Sequence, residues 1–240
     1  MRALSGELLL AAWDGGAAEH DLERAVTLLC LGFPERTRQE FYELPIPERD
    51  LLLLRLREAS FGRALSGFSV CAQCAARLVF TLPVSTMLAS LEGGIASEPM
   101  VWTENGRQMR LRPTNTLDLL SSLEIADAGE AQKFVLARCL GLAEAPHESL
   151  SEADMAMAQE KFDQLHEPAE IRCATECPEC AARGTLDLDI ASFLWLEVRA
   201  AAARLLGEIH VLASAYGWSE RAILRMAPRR RSAYMEMLNA

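Results

Sequence analysis

Four of the seven cysteines in this chain of 240 residues fall into two Cys-x-x-Cys pairs, Cys71 with Cys74 and Cys177 with Cys180, and no other feature limits the fold so strongly. A two-residue spacer lets a tight turn aim two sulfurs at one ion, and two such turns close a tetrahedral thiolate shell. β-capable stretches flank both pairs. LSGFSV and RLVFTLPV surround the first, while AEIRCATE precedes the second and Gly184 with the alternation Leu186, Leu188, Ile190 follows it. The pattern predicts two strand–knuckle–strand hairpins that together form a zinc ribbon, with one structural zinc per chain held by Cys71, Cys74, Cys177 and Cys180. All four coordination positions would be filled by protein, leaving none for a hydrolytic water. Cys173, four residues before Cys177, is the rival ligand, able to replace one thiol or add a fifth; the matching spacers favour Cys177 and Cys180.

Other readings of the thiols are ordinary buried cysteines, two separate redox dithiols, or an iron–sulfur cluster. A paired double Cys-x-x-Cys is more specific than a single one, and no ferredoxin-type cysteine run occurs. Cys30 and Cys139 sit beside Leu29 and Leu140 in helical patterns and read as core. An odd cysteine count with metal-type spacing fits a reducing compartment better than a disulfide framework. No apolar stretch is long enough to span a bilayer and the first residues lack a cleavage pattern, so a soluble cytoplasmic protein is expected.

Half the residues are hydrophobic, enough for a sizeable core. The expected fold is mainly α with a small β zinc ribbon: a helical bundle, two Cys-x-x-Cys knuckle hairpins and an inserted helical subdomain. The segments are 1–64 (N-terminal helices), 65–82 (first hairpin), 83–168 (insert), 169–190 (second hairpin) and 191–240 (long helix and C-terminal short helices). Ser5 is expected to cap the first helix, Gly62 to close the fourth, and Asn105-Gly106 to turn a hairpin within the insert. Gly93-Gly94 reads as a loop. Ser192 is expected to open a long helix whose Leu194, Val198, Ala201, Leu205, Ile209 and Leu212 recur at helical spacing until Gly217. Ser219 and Pro228 then start two short helices.

A net charge of −10 and a pI near 5.0 work against phosphate-backbone binding. The exception is the C-terminal stretch, where Arg221, Arg225, Arg229, Arg230 and Arg231 lie within eleven residues and point to an acidic protein partner before DNA. Three arginines at a helix N-terminus oppose the macrodipole unless an acidic partner offsets them. Trp195, Tyr216 and Trp218 are either interface anchors or core, with core at least as good for Trp195 and a wedge between the last helices preferred for Trp218. His20, His147, His166 and His210 are scattered. HExxH, GxSxG and GxxxxGK[ST] are absent, so no catalytic site is expected.

The run from Phe193-Leu194-Trp195-Leu196-Glu197 through Arg204-Leu205-Leu206-Gly207-Glu208-Ile209-His210, Ala215 to Glu220 and Pro228 to Tyr234 resembles the zinc-ribbon baseplate proteins of phage-tail-like contractile injection systems, related to the baseplate hub assembly chaperones of contractile-tailed phages. Leu44-Pro45-Ile46-Pro47-Glu48-Arg49-Asp50, Arg57-Glu58, Phe61-Gly62 and both knuckles add to it; the insert contributes little beyond Arg112-Pro113 and Leu117-Asp118-Leu119. Ala181-Ala182 departs from the more polar turn such a knuckle would carry, as does the extra Cys173. The resemblance implies a non-enzymatic baseplate component or assembly chaperone, free in the cytoplasm or incorporated into a particle. Its partners would be hub, spike or other baseplate proteins, docking on Trp218, Arg229, Arg230 and Arg231. A zinc-ribbon nucleic-acid-binding or transcription regulator is the alternative, and a thiol redox enzyme the third class.

Overall fold

One long helix organises the chain. α9 (Ile190–Tyr216) has 27 residues, about 40 Å at 1.5 Å per residue. It buries Leu194, Val198, Ala202, Leu205, Ile209 and Leu212 along one stripe and ends where Gly217 turns left-handed at φ 67°. Its start lies earlier than the expected Ser192. The Asp189 carboxylate accepts from the amides of Ala191 and Ser192, and the Ser192 hydroxyl donates to the same carboxylate at 2.6 Å. The computed structural model describes residues 1–95, 99–104, 107–142, 151–167 and 170–238; the Asn105-Gly106 turn and His147 lie outside them.

Three N-terminal helices, α1 (Glu7–Gly16), α2 (Asp21–Gly32) and α4 (Ile46–Phe61), pack on α9, with the short α3 (Arg38–Glu43) between the second and fourth. α1 begins at Gly6, whose φ of 52° suits a residue without Cβ, so Ser5 lends its carbonyl and not its side chain. Buried Arg57 clamps the bundle. Its guanidinium donates to both Glu197 oxygens at 2.6 and 2.8 Å and to the Gly62 carbonyl at 2.7 Å, tying the closed end of α4 to the first turns of α9. Removing the Glu197 carboxylate would strand the Arg57 charge in the core, a loss of about 3–5 kcal/mol.

The first hairpin, β1 (Ala64–Val70) with β2 (Arg77–Pro83), has one face on this core. Leu65 is fully buried, Phe80 and Leu82 pack beside it, and a Cβ on Gly67 would lie 2.8 Å from the Phe80 ring. A helix the sequence reading left out follows directly: α5 (Val84–Gly94) places Val84, Met87 and Leu91 into the same core, and Gly93-Gly94 form its last turn.

Beyond it a second, smaller core gathers Leu111, Val135, Leu136, Cys139, Ala158 and Leu165. They come from the hairpin β3 (Met100–Glu104) and β4 (Arg107–Leu111), and from α7 (Ala128–Cys139) and α8 (Glu152–His166), with α6 (Thr116–Ser122) alongside. Asp118, fully buried, accepts from Arg112 at 2.6 and 2.8 Å and from Arg138 at 2.8 Å. Burial alone would raise its carboxyl; Arg112, the Asn115 amide and Arg138 outweigh that and hold it below the usual range. The two cores meet at α4's first turn, where Ile46 donates to the Thr114 carbonyl at 2.8 Å and buried Arg49 reaches the Thr116 hydroxyl at 3.4 Å.

After the second hairpin, β5 (Arg172–Glu176) with β6 (Arg183–Asp187), and α9, the chain ends in α10 (Glu220–Leu224), capped by Ser219, and α11 (Pro228–Leu238). Among the described residues the strands form three separate antiparallel pairs.

Candidate metal centre

Each knuckle turns the chain between two strands. The Cys71 amide donates to the Ala76 carbonyl and the Ala75 amide to the Cys71 carbonyl, both at 2.9 Å; Cys177 with Ala182 and Ala181 with Cys177 repeat the two bonds at the same distances. Ala75 at φ 58° and Ala181 at φ 56° both occupy the left-handed region. The two turns are thus one conformation made twice. Sequence reasoning took Ala181-Ala182 for an oddity and missed this, although both knuckles read Cys-x-x-Cys-Ala-Ala-Arg and the repeated alanines mark the same backbone position.

The hairpins bring the four thiols to one point. Cys71 Sγ lies 3.7 Å from Cys180 Sγ, and Cys74 Sγ lies 3.6 Å from Cys177 Sγ. All four ligand atoms fall within 4.8 Å of one another. A tetrahedron with metal–sulfur bonds of about 2.3 Å has edges of about 3.8 Å. Disulfide sulfurs would sit about 2.05 Å apart, so these are not bonded pairs. Cys71 and Cys177 are buried while Cys74 and Cys180 are exposed, which leaves one inner and one outer thiol per hairpin. The donor set and its spacing fit a metal ion such as zinc.

Backbone amides prepare the sulfurs for charge. Donation from Cys74 and Gln73 pulls the Cys71 thiol down to about 6. At Cys180 the Ala182 amide pulls down, but hydrogen bonding to Cys74, burial and the remaining thiols push it up to about 12. At Cys74 the amide of Ala76 and Cys180 lower the thiol, yet Cys177, burial and Cys71 raise it on balance. Thiols this close compete for protons, and a divalent ion binds by displacing them.

Cys173 does not join the cluster. It sits on β5 opposite Leu186 and packs against the larger core, where burial raises its thiol. Cys139 is buried in the smaller core and Cys30 half-buried against the larger one. Trp195 is a core residue, 7 % exposed, with the Arg24 guanidinium 5.0 Å from its ring centre.

The C-terminal residues divide. Trp218 is half-buried, stacked on Tyr216 at 4.5 Å and meeting Tyr234 edge-on at 4.9 Å, which fastens the end of α9 to α11. Arg229 and Arg230 are exposed, but Arg231 is 7 % exposed and turned inward. Its guanidinium donates to Glu208 and to the Met226 carbonyl, both at 2.8 Å. The acid that offsets this arginine is therefore inside the chain, and Arg231 is not part of an open surface. Nor do the arginines extend the cysteine site: the first hairpin meets α9 at Phe193 and Arg231 meets it at Glu208, about 22 Å further along the axis.

Among the described residues no helix is long and apolar enough to cross a membrane. No family model, curated protein or solved structure matches the chain.

Proposed function

We propose that this chain is a non-enzymatic structural component or assembly chaperone of the baseplate of a phage-tail-like contractile injection system, stabilised by one structural zinc in a ribbon of Cys71, Cys74, Cys177 and Cys180. The observation that carries the reading is the meeting of four thiols, from segments about a hundred residues apart, within 4.8 Å of one another, the spacing of a tetrahedral thiolate shell. A closed shell fixes architecture and offers no reactive ligand site.

The residues on which the resemblance rests support the same view, because many of them pair with each other. Arg57 holds Glu197, Glu208 holds Arg231, Tyr216, Trp218 and Tyr234 stack together, and Arg112 holds Asp118. Arg49, from the Leu44 to Asp50 motif, lies at the joint between the two cores. These are the contacts of a scaffold that must present surfaces in fixed relation. Zinc ribbons also serve nucleic-acid-binding regulators, but here the arginines and the cysteine site are separated along α9 and do not make one basic face.

The test is purification of a tagged copy from its native host, reading zinc content and co-purifying proteins from one sample. Sheath, tube or baseplate proteins with one zinc per chain are expected. Zinc with nucleic acid or polymerase subunits would replace this reading with the regulator.

A further inference from the structure

A groove of about 610 Å³ runs between the start of α1 and the α10–α11 turn. Leu8, Leu224 and Met226, all half-buried, give it an apolar floor, and Arg221 and Arg225, both exposed, stand on its wall; Glu7 is the acidic residue on its rim. Pro228 also lines it, and the exposed Arg229 and Arg230 follow at once. Among the described residues none of these four arginines makes an ion pair or a side-chain hydrogen bond, in a chain with 34 acidic residues. Buried Arg231 instead braces the turn from below through Glu208 and the Met226 carbonyl. The wall is thus fixed by one arginine while four others are left to solvent.

We propose that this groove receives an acidic, partly apolar segment of a partner protein, its carboxylates on Arg221 and Arg225 with Arg229 and Arg230 at the rim, and its apolar side chains on Leu8, Leu224 and Met226. The inference rests on the docking role proposed above and names the chemistry of the partner. Charge complementarity selects the occupant. A guanidinium fork matches a carboxylate in two parallel bonds, and the local positive field attracts an acidic segment although the whole chain is negative. A nucleic acid would meet net repulsion from the remaining surface and would leave the apolar floor unused. A second copy, at net charge −10, would be repelled as well.

The experiment uses the full-length, metal-loaded protein. Short synthetic peptides alternating Glu with Leu are titrated by fluorescence anisotropy beside Gln-for-Glu peptides, poly-Glu and single-stranded DNA. The expected result is that the Glu/Leu peptide binds, that Gln-for-Glu and poly-Glu bind at least about tenfold more weakly, and that Arg221→Glu with Arg225→Glu costs about tenfold or more while Arg63→Glu, exposed elsewhere, costs little. Unchanged thermal unfolding shows that the variants fold, and Met226→Asp repeats the test on the floor. Equal binding of the Gln peptide, tighter binding of DNA lost in the same double variant, or self-association lost in it would each overturn the proposal. Baseplate co-purification that survives the double variant removes the groove but not the proposed role; peptide binding without baseplate partners removes that role but not the groove.

Discussion

The two hairpins carry the same knuckle on different supports. In the first, seven-residue strands alternate between a face buried with Leu65, Phe80 and Leu82 and an exposed face with Phe68, Val70 and Val79, where Arg77 lies 4.0 Å over the Phe68 ring. In the second, the strands have five residues and the outward positions carry charge: Arg183 pairs with Glu176, and Arg172 contacts Glu167, Glu170 and Asp187. Its links to the larger core are Ile171, Cys173 and Leu188 near the open end. Exposed ion pairs contribute about 0–1 kcal/mol each, whereas each buried leucine contributes about 2 kcal/mol or more. Packing therefore holds the first hairpin, and a metal ion bound by the four thiols would hold the second.

The largest effect follows from breaking that site. Cys180→Ser, at an exposed position, should abolish metal retention and lower the thermal midpoint by about 10 °C, since the ion's binding energy is coupled to folding. Amide hydrogen exchange should separate the hairpins: amides from Arg172 to Asp187 lose protection, while those of Leu65, Gly67 and Leu82 keep it. Equal loss in both would mean that the first hairpin also depends on the ion. Unchanged metal content and midpoint would remove the metal site altogether.

A smaller, opposite contrast comes from the strands. Leu65→Ala opens a cavity in the larger core and should cost about 2–5 kcal/mol in urea unfolding, while Leu186→Ala, half-buried on the second hairpin, should cost about 1 kcal/mol or less. Metal content should stay at one ion per chain in both. Similar losses at the two positions would show that the second hairpin is packed as firmly as the first.

Features governed by ligand chemistry or by long periodicity were legible in the sequence. The Cys-x-x-Cys pairs had to converge if one ion was to be shared, and the apolar stripe with Gly217 after it set where α9 ends, though the helix starts at Ile190 and not Ser192 and buries Ala202 in place of Ala201. Features decided by distant partners were not. Nothing local joins Arg57 to Glu197 across 140 positions, and nothing in the Arg229 to Arg231 run marks the third as the one that turns inward. α5 was hidden because two glycines follow a short apolar stretch, although Val84, Met87 and Leu91 carry helical spacing. The caps misled for a related reason: Ser5 and Ser192 have capping side chains, but the backbone at Gly6 and the carboxylate of Asp189 decide where each helix starts.

The knuckles supply the finest test, because there the hairpins should behave alike. A non-glycine residue in the left-handed region costs about 1–2 kcal/mol, and glycine loses about 0.5–1 kcal/mol of that advantage through greater freedom in the unfolded chain. Ala75→Gly and Ala181→Gly should therefore each stabilise the metal-loaded protein by up to about 1 kcal/mol, by nearly equal amounts, as read from the urea midpoint. Equal gains would confine the difference between the hairpins to their strands. A gain at Ala75 alone would instead place it in the turns, with the second knuckle set by the ion more than by its own backbone.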